Sequence, residues 1–181
     1  MKKPRGFTLI ELLVVIAIVA ILAAVGAPSF LSMIRSSNMT SGINSFLADM
    51  RFARSEAIRR GGSVVLCRSD SPEAAQPTCG SGSADGWESG WIVFHDLSGN
   101  DQRTSTEPLL RAQGPLTGIN TITESGAATI FVFTATGRLK ASGLTSIQFG
   151  SAPDFANTDQ RMVCVSVGGR ARVAGNGLTA C

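Results

Sequence analysis

The stretch GFTLIELLVVIAIVAIL at residues 6–22 opens an apolar run that is long enough to cross a membrane as a helix. Residues 12–34 carry no charge. A helix of these residues is roughly 35 Å long at about 1.5 Å per residue. The hydrocarbon core of a bilayer is about 30 Å thick, so this helix can span it. Glu11 is the only charge in the quoted stretch. An acidic residue costs roughly 2.5 to 3.5 kcal/mol at the centre of a membrane helix, so Glu11 requires a functional partner.

The charges that flank this run predict its orientation. Lys2, Lys3 and Arg5 precede it and Arg35 follows it, and the positive-inside bias places the N-terminus in the cytoplasm and the rest of the chain across the membrane. A secretory signal peptide and a plain one-helix anchor are the alternatives. A signal peptide has a shorter apolar region followed by a small-residue cleavage site, and neither alternative accounts for Glu11.

The string GFTLIE at residues 6–11, after a short basic leader, resembles the class III signal of type IV prepilins and type II secretion pseudopilins. The resemblance implies that prepilin peptidase removes residues 1–6 by cutting after Gly6 and that the new amino group of Phe7 is methylated. It also implies a partner for Glu11, the α-amino group of Phe7 on a neighbouring subunit. Such a buried pair favours correct register between subunits more than stability.

Composition limits the possible partners. The chain has 16 Lys and Arg against 13 Asp and Glu, a formal net charge of +3. Lys2, Lys3 and Arg5 account for that whole excess, so removal of the leader leaves a neutral chain. Net charge therefore favours no polyanionic partner, and any case for nucleic acid depends on local clusters of basic residues. The part beyond Arg35 is long enough for one domain of ordinary size.

Four cysteines, at positions 67, 79, 164 and 181, all follow the apolar run. An even number on the oxidising side of a membrane predicts disulfides, and four cysteines allow three connectivities. Pairing Cys67 with Cys79 and Cys164 with Cys181 is favoured because short loops close at a low entropic cost. His95 is the only histidine and no cysteine pair has CxxC spacing, so we expect no metal site and no cofactor.

A helix is predicted to continue beyond the apolar run, in two parts: a membrane or filament-core half at residues 7–34 and an amphipathic half at 35–60. The apolar residues of the second half recur at three- and four-residue steps, as one buried face does: Ile43, Phe46, Leu47, Met50, Ala53, Ala57 and Ile58. The charged residues between them are expected to be solvated: Asp49, Arg51, Arg54 and Glu56. Arg59, Arg60 and Gly61 form a typical helix end.

Residues 61–181 read as a β-rich domain. Six runs have strand character: SVVLCR, WIVFHD, PLLRA, TIFVFTATG, TSIQFG and MVCVSVGGRARV. Alternation places Trp91, Val93, Phe131 and Phe133 in the core, and residues 69–89 are expected to form a loop closed by the first disulfide. A helix followed by strands predicts an α+β fold.

Two of these segments carry a further resemblance. GWESGWIVFHD at residues 86–96 and FTATGRL at 133–139 resemble the GspH/FimT-like minor pseudopilins and minor pilins. The resemblance implies a pilin fold, in which a long N-terminal helix packs on a C-terminal antiparallel sheet domain. It also implies a chain held once through the inner membrane with its C-terminal domain in the periplasm, then assembled with other subunits into a pilus or pseudopilus and exposed at the cell surface.

The segment FHDLSGND at residues 94–101 contains the only grouping with catalytic residue types. His95, Asp96 and Ser98 are close in sequence, but polar residues at the end of a strand more often form a turn that binds its own backbone. The acids and amide that could ligate calcium, at Asp96, Asn100 and Asp101, miss the familiar spacing. We therefore expect no enzymatic activity.

The segment GRAR at residues 169–172 resembles a motif of FimT-like pilins that is associated with DNA binding in natural transformation. Arg170 and Arg172 share one face of a strand, and each guanidinium can donate two parallel hydrogen bonds to a phosphate. Gly169 would let the backbone approach the ligand. An ordinary hairpin with solvated arginines is the alternative. Three more basic residues are candidate outer contacts: Arg138, Lys140 and Arg161.

The sequence thus predicts a minor type IV pilin of the FimT-like type that takes part in pilus assembly and binds DNA without sequence preference for uptake. The alternative is a GspH-like minor pseudopilin of the type II secretion system, with a structural role and no DNA binding.

Overall fold

The computed structural model describes residues 6–80, 86–140, 143–150, 159–175 and 181, and for residues 25–29 it describes the backbone alone. The predicted basic leader at residues 1–5 lies outside the described residues, as do residues 81–85 of the predicted loop. One helix precedes eight strands: α1 Leu9–Arg60, β1 Ser63–Arg68, β2 Trp91–Asp96, β3 Leu109–Gln113, β4 Ile122–Glu124, β5 Ile130–Phe133, β6 Thr145–Phe149, β7 Arg161–Val165 and β8 Ala171–Ala174. The predicted α+β class is confirmed.

The chain divides into two compact units, Met1–Ser37 and Asn38–Cys181. The first unit contains the start of α1, where the large apolar side chains from Phe7 to Ile34 that the structure describes are exposed. None of the described helical residues form a segment with the length and apolar character that crossing a membrane requires. A single membrane pass at residues 7–34 stays a prediction.

The second unit contains two antiparallel four-stranded sheets, with strand orders β3-β2-β1-β5 and β4-β6-β7-β8. Five of the six predicted runs coincide with single strands, and the sixth, MVCVSVGGRARV, divides into the hairpin of β7 and β8. The sequence did not predict β4, which has three residues. Such a short segment is stabilised by pairing with β6 rather than by its own residue pattern.

The second half of α1 packs on both sheets through its apolar face. Phe46 is fully buried, and its ring lies edge-on to Trp91 of β2 at 5.2 Å and to Phe149 of β6 at 5.7 Å between centroids. The predicted core residues Val93, Phe131 and Phe133 belong to the same cluster. The exception is Ile58, which is 53% exposed although its spacing placed it on the apolar face.

Two charges of α1 that were expected to be solvated are buried, and this prediction was wrong. Asp49 accepts hydrogen bonds from Nε1 of Trp91 at 2.8 Å and from the guanidinium of Arg111 at 2.7 Å. Glu56 accepts hydrogen bonds from Arg59 and Arg60, which lower its pKa from an ordinary 4.5 to about 2. Helical periodicity did not reveal that a sheet supplies the partners of Asp49, whereas the partners of Glu56 belong to α1 itself.

Both disulfides are present with the pairing favoured from the sequence. Cys67 at the end of β1 is joined to Cys79, and Cys164 of β7 is joined to Cys181. The first bridge closes the loop that follows β1, where buried Arg68 forms an ion pair with Asp70. The second bridge attaches residue 181 to the face of β7 that carries Met162 and Cys164.

The segment after β2 is the backbone-binding turn that the sequence favoured. Asp96 accepts hydrogen bonds from the amides of Gly99 and Asp101. Glu107, which the sequence analysis did not single out, accepts bonds from the amides of Leu97, Ser98 and Thr104. Burial raises the pKa of Glu107, but these hydrogen bonds outweigh it and lower the pKa to about 2. The carboxylates of this turn are therefore occupied by the chain itself.

Candidate functional site

The predicted cleavage site lies in an exposed, non-helical segment. Gly6, Phe7 and Thr8 precede the helix, which begins at Leu9. A Cβ at Gly6 would meet no atom within 4 Å, and Phe7 is 91% exposed. The peptide bond between Gly6 and Phe7 is thus accessible to a protease and does not require local unfolding of α1.

Thr8 and Glu11 form a capping box at the start of α1. The amide of Thr8 donates to Oε2 of Glu11 at 2.8 Å, and the amide of Glu11 donates to Oγ1 of Thr8 at 3.3 Å. This reciprocal pair satisfies two amides that a helix start leaves without partners. Sequence reasoning missed it, although a threonine three residues before a glutamate is the signature of this motif.

Glu11 retains an unused oxygen in this arrangement. Both bonds from Thr8, from its amide and from its hydroxyl, end on Oε2. Oε1 accepts no hydrogen bond from any described residue. The cap and a pair with a cation from outside the subunit are therefore compatible, because they use different oxygens of one carboxylate.

The GRAR segment begins in a tight hairpin turn. Gly169 donates its amide to the carbonyl of Ser166 at 2.8 Å, and the amide of Ser166 donates to the carbonyl of Arg170 at 3.0 Å. Gly169 has φ of +73°. A three-residue loop closed by a residue in the left-handed region is a standard hairpin connection that favours glycine.

A second turn repeats this geometry at residues 134–138. Gly137 donates to the carbonyl of Thr134 at 2.7 Å, the amide of Thr134 donates to the carbonyl of Arg138 at 2.8 Å, and φ of Gly137 is also +73°. In both turns an arginine follows the glycine. The two glycine-arginine pairs, at 137–138 and 169–170, therefore leave their turns in the same local conformation.

The two turns pack against each other. A Cβ at Gly169 would lie 2.3 Å from the carbonyl oxygen of Gly137, and the amide of Leu139 donates to the carbonyl of Val167 at 2.9 Å. The sequence analysis expected Gly169 to allow a close approach to a ligand. In the structure the close approach is to Gly137 of the same chain, so Gly169 positions the arginines that flank the two turns.

Arg170 lies directly before β8 and Arg172 is the second residue of that strand, so their common face stays a prediction. Arg172 is opposite Cys164 in the register, and Arg170 lines two neighbouring cavities of about 510 and 390 Å³. Both side chains are exposed. Neither guanidinium forms an ion pair with any carboxylate among the described residues.

The three candidate outer contacts differ in position. Arg138 is exposed and lies in the turn that packs on the GRAR turn. Lys140 instead forms an ion pair with Asp101 at 2.8 Å, and that hydrogen bond raises the pKa of Lys140. Arg161 lies at the end of β7 remote from the turn, opposite Phe149. Only Arg138 therefore joins Arg170 and Arg172.

No group of three or more His, Cys, Asp or Glu side chains in the described parts of the chain is arranged to hold a metal ion. The one histidine, His95, lies on β2 and approaches Gly62, where a Cβ would be 3.0 Å from Nε2. The two candidate functional sites are therefore the exposed hairpin with Arg170 and Arg172 and the exposed segment at residues 6–8 before α1.

Comparison with known proteins identifies the type of chain. The family described as Type II transport protein GspH matches residues 42–169, and the prokaryotic N-terminal methylation motif matches residues 1–27. The chain is 38% identical over 78 residues to prepilin peptidase-dependent protein D of Escherichia coli (strain K12), covering 43% of this chain and 53% of that protein. It is 39% identical over 71 residues to the type IV major alpha-pilin of Moraxella bovis, covering 39% and 44% of the two chains. The chain thus spans about half the length of the curated relatives it matches.

Solved structures show the same fold. The type IV minor pilin FimU of Pseudomonas aeruginosa superposes with a TM-score of 0.60 at 17% identity, over 80% of this chain and 96% of that one. The family match covers most of the chain, and the methylation motif is that of membrane-anchored pilus components. This protein therefore belongs to the GspH family and is a type IV pilin-like minor pilin or pseudopilin.

Proposed function

We propose that this protein is a minor pilin that binds DNA through the phosphate backbone during uptake in natural transformation, with Arg170 and Arg172 as the main contacts. One observation carries the proposal. The two guanidinium groups are exposed at alternate positions of a hairpin, and no carboxylate among the described residues neutralises either. The family match ends at residue 169, so the proposal depends on the chemistry of these arginines and on the GRAR motif.

The geometry suits a polyanion. The β8 strand ends the order of its sheet, so a ligand can approach it from the side on which the described residues place no strand. Arginine donates parallel hydrogen bonds to phosphate oxygens. Contacts to phosphates fix the position of a duplex but do not read its bases, and we therefore expect binding that is nearly independent of DNA sequence.

The test is binding of duplex DNA by the full chain in non-ionic detergent at several salt concentrations. We expect a Kd of about 10⁻⁴ to 10⁻⁶ M, typical of non-specific sites. The double variant Arg170→Gln with Arg172→Gln should lose most binding. It should also flatten the slope of log affinity against log salt by roughly 1.8, at about 0.9 per phosphate contact. Transformation frequency should fall in parallel.

The thermal midpoint of this double variant should equal that of the wild type, because solvent-facing charges contribute little to stability. Lys140→Gln is a matched control, since Lys140 is a surface cation that is already paired with Asp101. Unchanged affinity and salt slope in the double variant would overturn the proposal and leave an ordinary hairpin.

We infer that processing and assembly use the N-terminal site. Prepilin peptidase would cut after Gly6 and methylate Phe7, and the exposed segment that precedes the helix supports access. The chain would then lie once through the inner membrane, with its C-terminal domain in the periplasm, before it joins other pilin subunits. The free Oε1 of Glu11 supports a pair with the amino group of Phe7 on a neighbouring subunit.

The Glu11→Val variant tests this assembly role. Leader cleavage and membrane insertion should continue, because removal of a charge eases insertion, while incorporation into filaments should be impaired. The measurement is the amount of mature protein in sheared filaments relative to the membrane fraction. Wild-type incorporation of Glu11→Val would contradict the pairing.

A second candidate function is a minor pseudopilin of the type II secretion system, which the match to the family described as Type II transport protein GspH favours. In that role the protein would contact other pseudopilins and would not bind DNA. Deletion of the gene distinguishes the two functions. Loss of secreted proteins with unchanged transformation would favour the pseudopilin.

A further inference from the structure

A cavity lies between α1 and the GRAR hairpin in the second unit of the chain. Arg51, Arg54 and Ser55 of α1 line one side, and Gly169 and Arg170 line the other. Its volume, about 510 Å³, is within the about 300–1,000 Å³ range of small-ligand sites. We call the three arginines around this cavity, Arg51, Arg54 and Arg170, the arginine notch.

The helix side of the notch is built by α1 periodicity. Four residues of α1 form one stripe along the helix, because they follow Arg51 at three, four and seven positions. They are Arg51, Arg54, Ser55 and Ile58. This stripe faces the two turns at residues 134–138 and 166–170, which we call the twin turns. A Cβ at Gly137 would lie 3.1 Å from Nε of Arg54 and 2.7 Å from Cδ1 of Ile58. Ile58 does not pack in the core as the apolar pattern predicted, and it contacts this turn instead.

The notch differs from the rest of the domain in charge pairing. Four arginines elsewhere in the described domain pair with carboxylates, Arg59 and Arg60 with Glu56, Arg68 with Asp70, and Arg111 with Asp49, and Arg103 donates to the carbonyl of Pro77. The side chains of Arg51 and Arg54 form no ion pair or hydrogen bond with a described residue. Neighbouring unpaired cations raise the free energy of the unliganded protein by mutual repulsion, and a bound anion relieves that repulsion.

We propose that one phosphate group of a bound DNA strand lies in the arginine notch, held by Arg51, Arg54 and Arg170, while Arg172 holds a neighbouring phosphate. The inference rests on the proposed function and extends it, because half of the binding surface then belongs to α1. Arg138 lies at the end of the turn whose Gly137 approaches Arg54, so it is a further cation beside the proposed phosphate positions.

The experiment compares two pairs of substitutions that remove the same charge from the same helix. Arg51→Gln with Arg54→Gln should weaken binding of duplex DNA to the full chain in non-ionic detergent and flatten the salt slope by roughly 1.8. The control, Arg59→Gln with Arg60→Gln, should leave the slope unchanged because both side chains already bind the Glu56 carboxylate and neither lines the cavity. Arg51→Lys with Arg54→Lys should keep most of the slope, because the charges remain.

Three results would count against the inference. If the notch pair binds as wild type while Arg170→Gln with Arg172→Gln is weakened, α1 takes no part and the proposed function stands. If the control pair weakens binding equally, the effect is general loss of positive charge and no notch exists. If neither the notch pair nor the hairpin pair changes binding, the proposed function itself fails. Thermal midpoints check that each variant is folded, and the lysine pair provides a test if the Arg54→Gln change disturbs packing on Gly137.

Discussion

The two halves of α1 differ in apolar content and in environment, and the first half is much the richer in apolar residues. Phe30 in the first half is 65% exposed, whereas Phe46 in the second half is fully buried against both sheets. The first half is apolar on every face, and the second half confines its apolar residues to one face. The second half therefore finds its partner within its own chain, whereas the described large apolar side chains of the first half lie exposed.

Exposed apolar surface on this scale marks an interaction with other proteins or with a membrane. Large exposed residues recur from Leu9 to Ile34 in the first half, and only Ile58 among the large apolar residues of the second half is comparably exposed. We therefore expect the contacts with other subunits to involve the first half. The second half stabilises the domain that carries the candidate DNA site.

The largest expected effect separates two phenylalanines of one helix. Phe46→Ala should lower the free energy of unfolding by about 3–5 kcal/mol, since it leaves a cavity in a closely packed core. Phe30→Ala should change it by less than about 0.5 kcal/mol but reduce the amount of protein found in filaments. Thermal unfolding of the full chain in non-ionic detergent, followed by near-ultraviolet circular dichroism, measures both. Equal destabilisation by the two changes would contradict the comparison.

The next effect concerns the acids of the two halves. Asp49→Ala should cost about 2–3 kcal/mol, because it leaves the buried indole N–H of Trp91 without an acceptor and Arg111 without its partner. Asp49→Asn should cost less, since an amide oxygen can still accept the bond from Trp91. Glu11→Gln should not change the thermal midpoint, because the Glu11 side chain bonds, among the described residues, only to Thr8 at the helix start. A shift in midpoint for Glu11→Gln as large as that for Asp49→Ala would show that the first half also has a partner within the chain.

The smallest effect is a pH dependence at the end of the second half. The pKa of Glu56 is about 2 in the folded protein against an ordinary 4.5. The contribution of ionised Glu56 to the free energy of unfolding is therefore fully present above pH 4.5 and is lost as the pH falls toward 2. We expect this contribution to be about 1 kcal/mol, because the partner Arg59 is largely exposed and solvent screens the pair. The free energies of unfolding of Glu56→Gln and wild type should differ at pH 6 and converge at pH 2. A difference that stays constant with pH would refute this prediction.

The local pattern of the chain was sufficient for much of the fold. Strands β1 and β2 begin and end at the predicted residues, because each is a continuous apolar run bounded by turn residues. The buried face of α1 followed from its helical spacing, and the disulfide pairing followed from loop length. All of these depend on residues near one another in sequence.

Features that depend on distant residues could not be predicted in this way. The burial of Asp49 requires Trp91 and Arg111, which are supplied by two strands far along the chain. The division into two sheets depends on β-pairing between non-consecutive strands. At the candidate site, the sequence identified Arg170 and Arg172. It did not place Arg54 there, because only the fold brings α1 against the twin turns.

The contacts of Phe46 also have an optical consequence. The chain contains two tryptophans and no tyrosine. Both indoles, Trp87 and Trp91, lie within 6 Å of the Phe46 ring, at 5.9 and 5.2 Å between centroids. The intrinsic emission of the protein therefore comes from the place where α1 meets the sheets. Detachment of α1 would move both indoles into water, shift their emission to the red and expose them to an added quencher, so that helix docking can be followed without a label.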